Sequence, residues 1–180
     1  MSLSKARNLV SIALVFAGVS LSACGYTPLY GRSSGGAQVV AELSQIDVRP
    51  IVDRVGQMMR TELRRGLSPQ GLHGTPQYQL TVTLSEGLSE LAVEQSAFAT
   101  RANLTLSSTY QLVRSADSFE ILVGSASSVA SYNILSSDFA TQSAQSNARE
   151  RAVVNLAQTI RQRLAVHFQS PTGQADNSVK

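Results

Sequence analysis

From Ser137 to Phe168 the chain contains neither Pro nor Gly, and Ala148, Ala152, Leu156, Ile160 and Leu164 recur within that stretch at four-residue steps. This spacing gathers the apolar side chains into one stripe along a helix, supplemented by Val153 and Ala157. At about 1.5 Å per residue the helix is ~45 Å long, enough to span a small domain. Its stripe therefore needs a surface of comparable length to cover it. Arg149, Glu150, Arg151, Arg161 and Arg163 fall on its flanks, and Ser137 or Asp138 is placed to cap its start.

The covering surface is legible as strands. Tyr78, Leu80, Val82 and Leu84 alternate with Gln79, Thr81, Thr83 and Ser85. In a second run Ala102, Leu104, Leu106, Tyr110 and Leu112 alternate with Asn103, Thr105, Ser107, Thr109 and Gln111. Phe119, Ile121 and Val123 begin a third, which drifts into small residues from Gly124 to Ser131, and Asp117-Ser118 marks the turn before it. A period of two puts alternate residues on opposite faces. Each strand then carries one apolar and one hydroxyl- or amide-rich face, the pattern of an antiparallel sheet covered on one side. The segment 86–101 reads as a long hairpin end or a loop.

Ahead of these, Ile46, Val48 and Ile51 predict a short strand at about 43–49 ended by Pro50. Val52, Val55, Met59, Leu63 and Leu67 then predict an amphipathic helix, with Asp53 as its cap, Met58 and Met59 as core filler, and Gly66 with Pro69 at its end. The expected fold class is α+β, a two-layer sandwich of a mostly antiparallel four-stranded sheet with two helices packed on one face.

The first 24 residues belong to a different regime. Lys5 and Arg7 precede an apolar stretch from Leu9 to Leu21, and Leu21-Ser22-Ala23-Cys24 follows with the only cysteine of the chain. This is the layout of a bacterial export signal ending in a lipobox. The apolar stretch falls short of the ~20 residues that a hydrocarbon core requires. The expectation is a signal over 1–23, an acylated Cys24 heading a tether over 24–40, a periplasmic domain over 41–168 and a disordered tail over 169–180. Acylation also accounts for a lone Cys without a disulfide. Gly25, where Asp would favour the inner membrane, points to the outer membrane.

Charge and chemistry narrow the function. Once Lys5 and Arg7 leave with the signal, the formal charge of +3 falls to +1, too small a surplus for a nucleic-acid partner. No constellation here carries enzyme chemistry: His73 sits in the turn Gly71-Leu72-His73-Gly74, His167 ends the long helix, and no nucleophile elbow accompanies either. Two His with scattered carboxylates do not suggest a metal site, and no glycine loop suggests a phosphate-binding cofactor. Catalytic residues, metals and cofactors are therefore all expected to be none. The mature basic residues are twelve Arg and the terminal Lys180, and a guanidinium fork suits phosphate or carboxylate.

The ordered set of Cys24-Gly25-Tyr26-Thr27-Pro28-Leu29-Tyr30-Gly31, Thr100-Arg101-Ala102-Asn103-Leu104, Ser108-Thr109-Tyr110-Gln111-Leu112-Val113, Ala130-Ser131-Tyr132-Asn133 and Phe139-Ala140, with Arg151-Ala152 and Leu156-Ala157 in the long helix, resembles a known family. It is similar to the lipopolysaccharide-assembly lipoprotein of the outer-membrane Lpt translocon, in its alphaproteobacterial form. The resemblance implies a non-catalytic partner that plugs and supports a β-barrel and assists lipopolysaccharide passage to the outer leaflet. On that reading Arg101 is the candidate lipopolysaccharide contact and Thr105, Ser107 and Thr109 are candidate barrel-facing residues. The alternative is an auxiliary periplasmic lipoprotein of another lipid-transport or secretion complex.

Overall fold

The computed structural model describes residues 34–69, 71, 74–91 and 101–170. Cys24, His73 and residues 171–180 of the expected 169–180 tail lie outside them, while Gln169 is the last residue of the final helix and Ser170 its C-cap. In chain order the elements are α1 (Ser34–Leu43), β1 (Ile46–Val48), α2 (Asp53–Leu67), β2 (Tyr78–Leu91), β3 (Arg101–Arg114), β4 (Glu120–Asn133) and α3 (Asp138–Gln169). The strands form one sheet in the order β1-β2-β3-β4, with β1 parallel to β2 and the other pairs antiparallel. The parallel pair follows from its connection: α2 carries the chain back across the layer between β1 and β2, whereas β2, β3 and β4 follow one another as hairpins.

The fold is the expected two-layer α+β arrangement with three helices instead of two. α3 lies over β3 and β4 and packs sideways against α2 and α1. Its stripe residues Ala148, Ala152, Leu156, Ile160 and Leu164 are all fully buried. They meet Leu104, Leu106 and Leu112 of β3, also fully buried, and the small Ala126 and Ala130 of β4. Small residues on both helix and edge strand allow the backbones to approach closely. Ser137 caps α3, its Oγ accepting from the Ala140 N–H at 3.4 Å.

Three expectations need correction. Residues 34–40 are not tether: they form most of α1, whose Val39 and Leu43 are 2% exposed in the core, while the Tyr78 hydroxyl donates to Glu42 Oε2 at 3.1 Å. Tertiary burial overrides the poor intrinsic helix propensity of the Ser and Gly residues at its start. Asp53 does not cap α2; the N-cap is Val52, which makes no side-chain bond, and Asp53 itself has φ +69°. Of the two readings of segment 86–101, the long hairpin holds at both ends, since Glu86–Leu91 pair with Arg101–Leu106; residues 92–100 lie outside the described residues.

β4 also departs from its expected phase. Leu112 pairs with Leu122 and Val113 with Glu120, so Ile121 is an extra residue, a β-bulge. A bulge shifts the side-chain phase of everything after it. Phe119 and Val123, read as the start of an apolar face, are 56% and 57% exposed. Beyond the bulge it is Leu122, Gly124, Ala126, Ala130 and Tyr132 that share the core side with their partners on β3. Gly124 sits opposite Tyr110, whose Cζ lies 2.6 Å from where a Cβ would stand, so the buried ring occupies the space a side chain would need.

Candidate functional site

The three helices cover one face of the sheet, and the composition of the other follows from the alternation. On β3 the buried residues Ala102, Leu104, Leu106, Ser108, Tyr110 and Leu112 alternate with Asn103, Thr105, Ser107, Thr109 and Gln111. Because directly opposed residues share a face, the register assembles cross-strand rows. Thr83, Thr109 and Ser125 form one row; Ser85, Ser107 and Ser127 form the next. Gly87, Thr105 and Val129 follow, and then Ser89, Asn103 and Ser131. The Ser131 hydroxyl donates to Asn103 Oδ1 at 2.6 Å within the last row.

Thr105, Ser107 and Thr109 therefore come together as expected, the first two half-buried among their neighbours and the third exposed. Around Ser107 and Thr109 the face is hollowed into a shallow concavity of about 350 Å³. Arg163, reaching from α3, closes its rim and donates to the Ser125 carbonyl. Arg101 begins β3 at the far end of this face, exposed, on the same side by alternation as Asn103 and Thr105. The structure thus places Arg101 on the sheet face of the three hydroxyl residues but away from the hollow.

Sequence reasoning missed half of this surface. Ser125, Ser127 and Ser131 were within reach, because Ser recurs at every second position there except Val129; the small-residue composition hid a true period of two. Arg163 left no signal, since only the fold brings the helix flank to the β4 edge. Another long-range contact was equally silent. Arg149 of α3 donates through Nε and Nη2 to both carboxylate oxygens of Glu86 at 2.8 and 2.7 Å. That bond to Glu86 raises the Arg149 pKa above the ordinary guanidinium value, against an opposing effect of burial.

The chemistry available on the face is passive. Neutral hydroxyls donate and accept but are not activated, and the nearby buried Ser108 hydroxyl is spent on the Ala126 carbonyl at 3.3 Å. His167 stands edge-on to Phe168 at the end of α3, with ring centroids 5.6 Å apart. Among the described residues no three His, Cys, Asp or Glu gather where they could hold a metal ion, and no helix is long and apolar enough to cross a membrane. A surface of this kind supports many weak, directional contacts.

The profile of the lipopolysaccharide-assembly family, LptE, matches residues 42–164, more than half of the chain. The chain belongs to that family. As a lipopolysaccharide-assembly protein it works in the cell envelope, within a non-enzymatic lipoprotein family. Its fold is similar to that of a lipoprotein from Caulobacter crescentus, with 24% identity and a TM-score of 0.59 over 72% of this chain and 95% of that one. It is also similar to the rare lipoprotein B from Shewanella oneidensis, at 12% identity and a TM-score of 0.51 over 67% and 92% of the two chains. A minor lipoprotein from Acinetobacter baumannii shares the fold at 14% identity and a TM-score of 0.50, over 67% and 90%. No curated protein matches the sequence.

Proposed function

We propose that this lipopolysaccharide-assembly protein is anchored to the outer membrane through an acylated Cys24 and docks its uncovered sheet face inside a lipopolysaccharide-translocating β-barrel, as plug and support. The observation that carries the reading is the cross-strand hydroxyl lattice itself. A barrel lumen is polar, and neutral hydroxyls can exchange water for lumen partners without the penalty of desolvating charge. Val123 and Val129 are exposed on the same face and would add apolar contact along its β4 side. Arg101, at the end of the face, offers a bidentate fork to the phosphorylated sugars of lipopolysaccharide.

The test is to replace Thr105, Ser107 and Thr109 together by Glu. Carboxylates trapped at a packed interface must be desolvated or paired, so the variant should fold yet lose co-purification with the barrel from outer membranes. Circular dichroism of the soluble Cys24→Ala form supplies the folding control. A folded triple variant that still co-purifies fully, with lipopolysaccharide reaching the surface normally, would show the face to be merely solvated. Recovery with an inner-membrane transporter or secretin in place of a barrel would favour the auxiliary-lipoprotein reading.

A further inference from the structure

The open edges of this sheet are not treated alike. Along β4, Arg151 Nη2 donates to the Ser131 carbonyl at 3.0 Å and Arg163 donates to the Ser125 carbonyl. Both acceptors belong to the set of alternate residues whose main-chain groups point away from β3. On the opposite side Arg60 Nε donates to the Val48 carbonyl of β1 at 3.0 Å. Cationic side chains are a common way to blunt an edge against further pairing.

Among the described residues, one stretch lacks any such guard. β1 pairs only with Tyr78, Gln79 and Leu80 before Pro50 carries the chain into α2, whereas β2 continues to Leu91. Tyr78 N–H donates to the Gln45 carbonyl and the Leu80 carbonyl accepts from Arg49 N–H, so the even-numbered residues of β2 are those that face this edge. Val82, Leu84, Glu86, Leu88 and Glu90 thus each aim an N–H and a C=O off the sheet, and no main-chain partner meets them among the described residues. Glu86 shows the consequence: the residue as a whole is exposed although its side chain is only 24% accessible. Its main chain therefore contributes a disproportionate share of that exposure.

Beside this edge the start of α2 stands off and leaves a groove of about 330 Å³. Val82 and Leu84 line it from the core face, Thr81 and Thr83 from the outer face, and Ile51 and Val55 from the helix side. A hollow that touches both faces of one strand has the shape of a missing neighbouring strand. We infer that the β2 edge from Val82 to Glu90 binds an extended segment of another protein by strand addition.

The lining defines the segment. Residues opposite Val82 and Leu84 must be apolar to fill the floor of the groove, and the residue opposite Glu90 must be basic. Glu86 is already held by Arg149, whereas Asp53 at the helix lip of the groove and the exposed Glu90 further along the strand leave this edge acidic. A second copy of this chain is the poorer occupant, because antiparallel self-pairing over the whole edge sets the two Glu86 carboxylates opposite each other. A closed barrel has no free edge to offer, so this site is separate from the docking face and does not rest on that reading.

Two synthetic peptides spanning the edge test the inference against the detergent-purified full-length protein. Threonine fills their outward positions; the inward positions read valine, leucine, serine, leucine, lysine in one and the reverse order in the other, for the two strand directions. One of them should bind by fluorescence anisotropy. Methylating the peptide amides that face β2 should weaken binding by roughly tenfold or more, while methylating the alternate set changes it by less than about twofold. Leu88→Pro removes an edge N–H without touching a bond to β3 and should weaken binding similarly with the circular dichroism spectrum unchanged. In hydrogen exchange, the amides of Leu84, Glu86 and Leu88 should exchange fast in the free protein and slowly in the complex, with Thr81, Thr83 and Ser85 slow in both. Failure of both peptides, equal binding by both methylated forms, or even-numbered amides already protected in the free monomer would overturn strand addition. Self-association that protects this edge would show the occupant to be a second copy instead.

Discussion

Leu106→Ala, read against Thr105→Ala on the adjacent position, tests whether the sheet is covered on one side only. Leu106 is fully buried near the middle of β3, between β2 and β4 and in the core beneath the helices. Truncation removes three buried carbons, worth about 2.4 kcal/mol at ~0.8 kcal/mol each. A cavity term adds to this, because sheet backbone on one side and packed helices on the other limit collapse; the expected loss is ~2–5 kcal/mol. Thr105 points to the uncovered face, where losing a hydroxyl and a methyl should cost no more than about 1 kcal/mol of strand preference and surface contact. At roughly 2–4 °C per kcal/mol for a chain of this size, Leu106→Ala should lower the Tm by about 5–20 °C and Thr105→Ala by at most about 4 °C. Thermal and urea unfolding of the soluble Cys24→Ala form, followed by circular dichroism, measures both. Equal losses at the two positions would refute the register and the one-sided sheet together.

Gly124→Ala should destabilise by ~1–3 kcal/mol, because its Cβ would collide with the buried Tyr110 ring, whose Cζ is 2.6 Å away; additional Tyr110→Leu should recover part of the loss in the same unfolding assay. A double-mutant cycle on Arg149 and Glu86, whose side chains are 27% and 24% accessible, should give a coupling of ~0.5–1 kcal/mol that falls with added salt. Since the partner raises the Arg149 pKa above the ordinary guanidinium value, the stabilisation from this cation is fully present below that unfolded value. It is lost only as pH rises through the higher folded one, so the coupling should not change between about pH 7 and pH 10. Cys24→Ala should release the domain from membranes or stall its processing without unfolding it. Mass spectrometry of the wild type should show a diacylglyceryl Cys24 with a third acyl chain, and a free thiol there with a mature start elsewhere would exclude the anchor.

Elements governed by a local period were readable directly. The α3 stripe from Ala148 to Leu164 and the alternation of Tyr78–Leu84 and Ala102–Leu112 reflect repeats of 3.6 and 2 residues that any covered helix or half-covered strand must show. From them came the two-layer α+β fold and, with it, the shared face of Thr105, Ser107 and Thr109. α1 was illegible because its Ser- and Gly-rich start has low helix propensity, and only the packing of Val39 and Leu43 into the core stabilises it. The phase of β4 was illegible because the bulge at Ile121 exists only relative to the partner strand.

The sequence by itself determined which side chains share a face within each element, since that depends on backbone geometry over a few bonds. Tertiary structure alone decided which faces meet: the row Thr83, Thr109 and Ser125 joins three strands, the Arg149–Glu86 clamp links residues 63 apart, and Arg163 reaches the rim of the hydroxyl hollow from another layer. It also decided that β1 stops after three residues and leaves the edge of β2 open. Such features depend on the relative length and register of elements distant in the chain. Those are fixed by the joint packing of the core and leave no mark on the local sequence pattern.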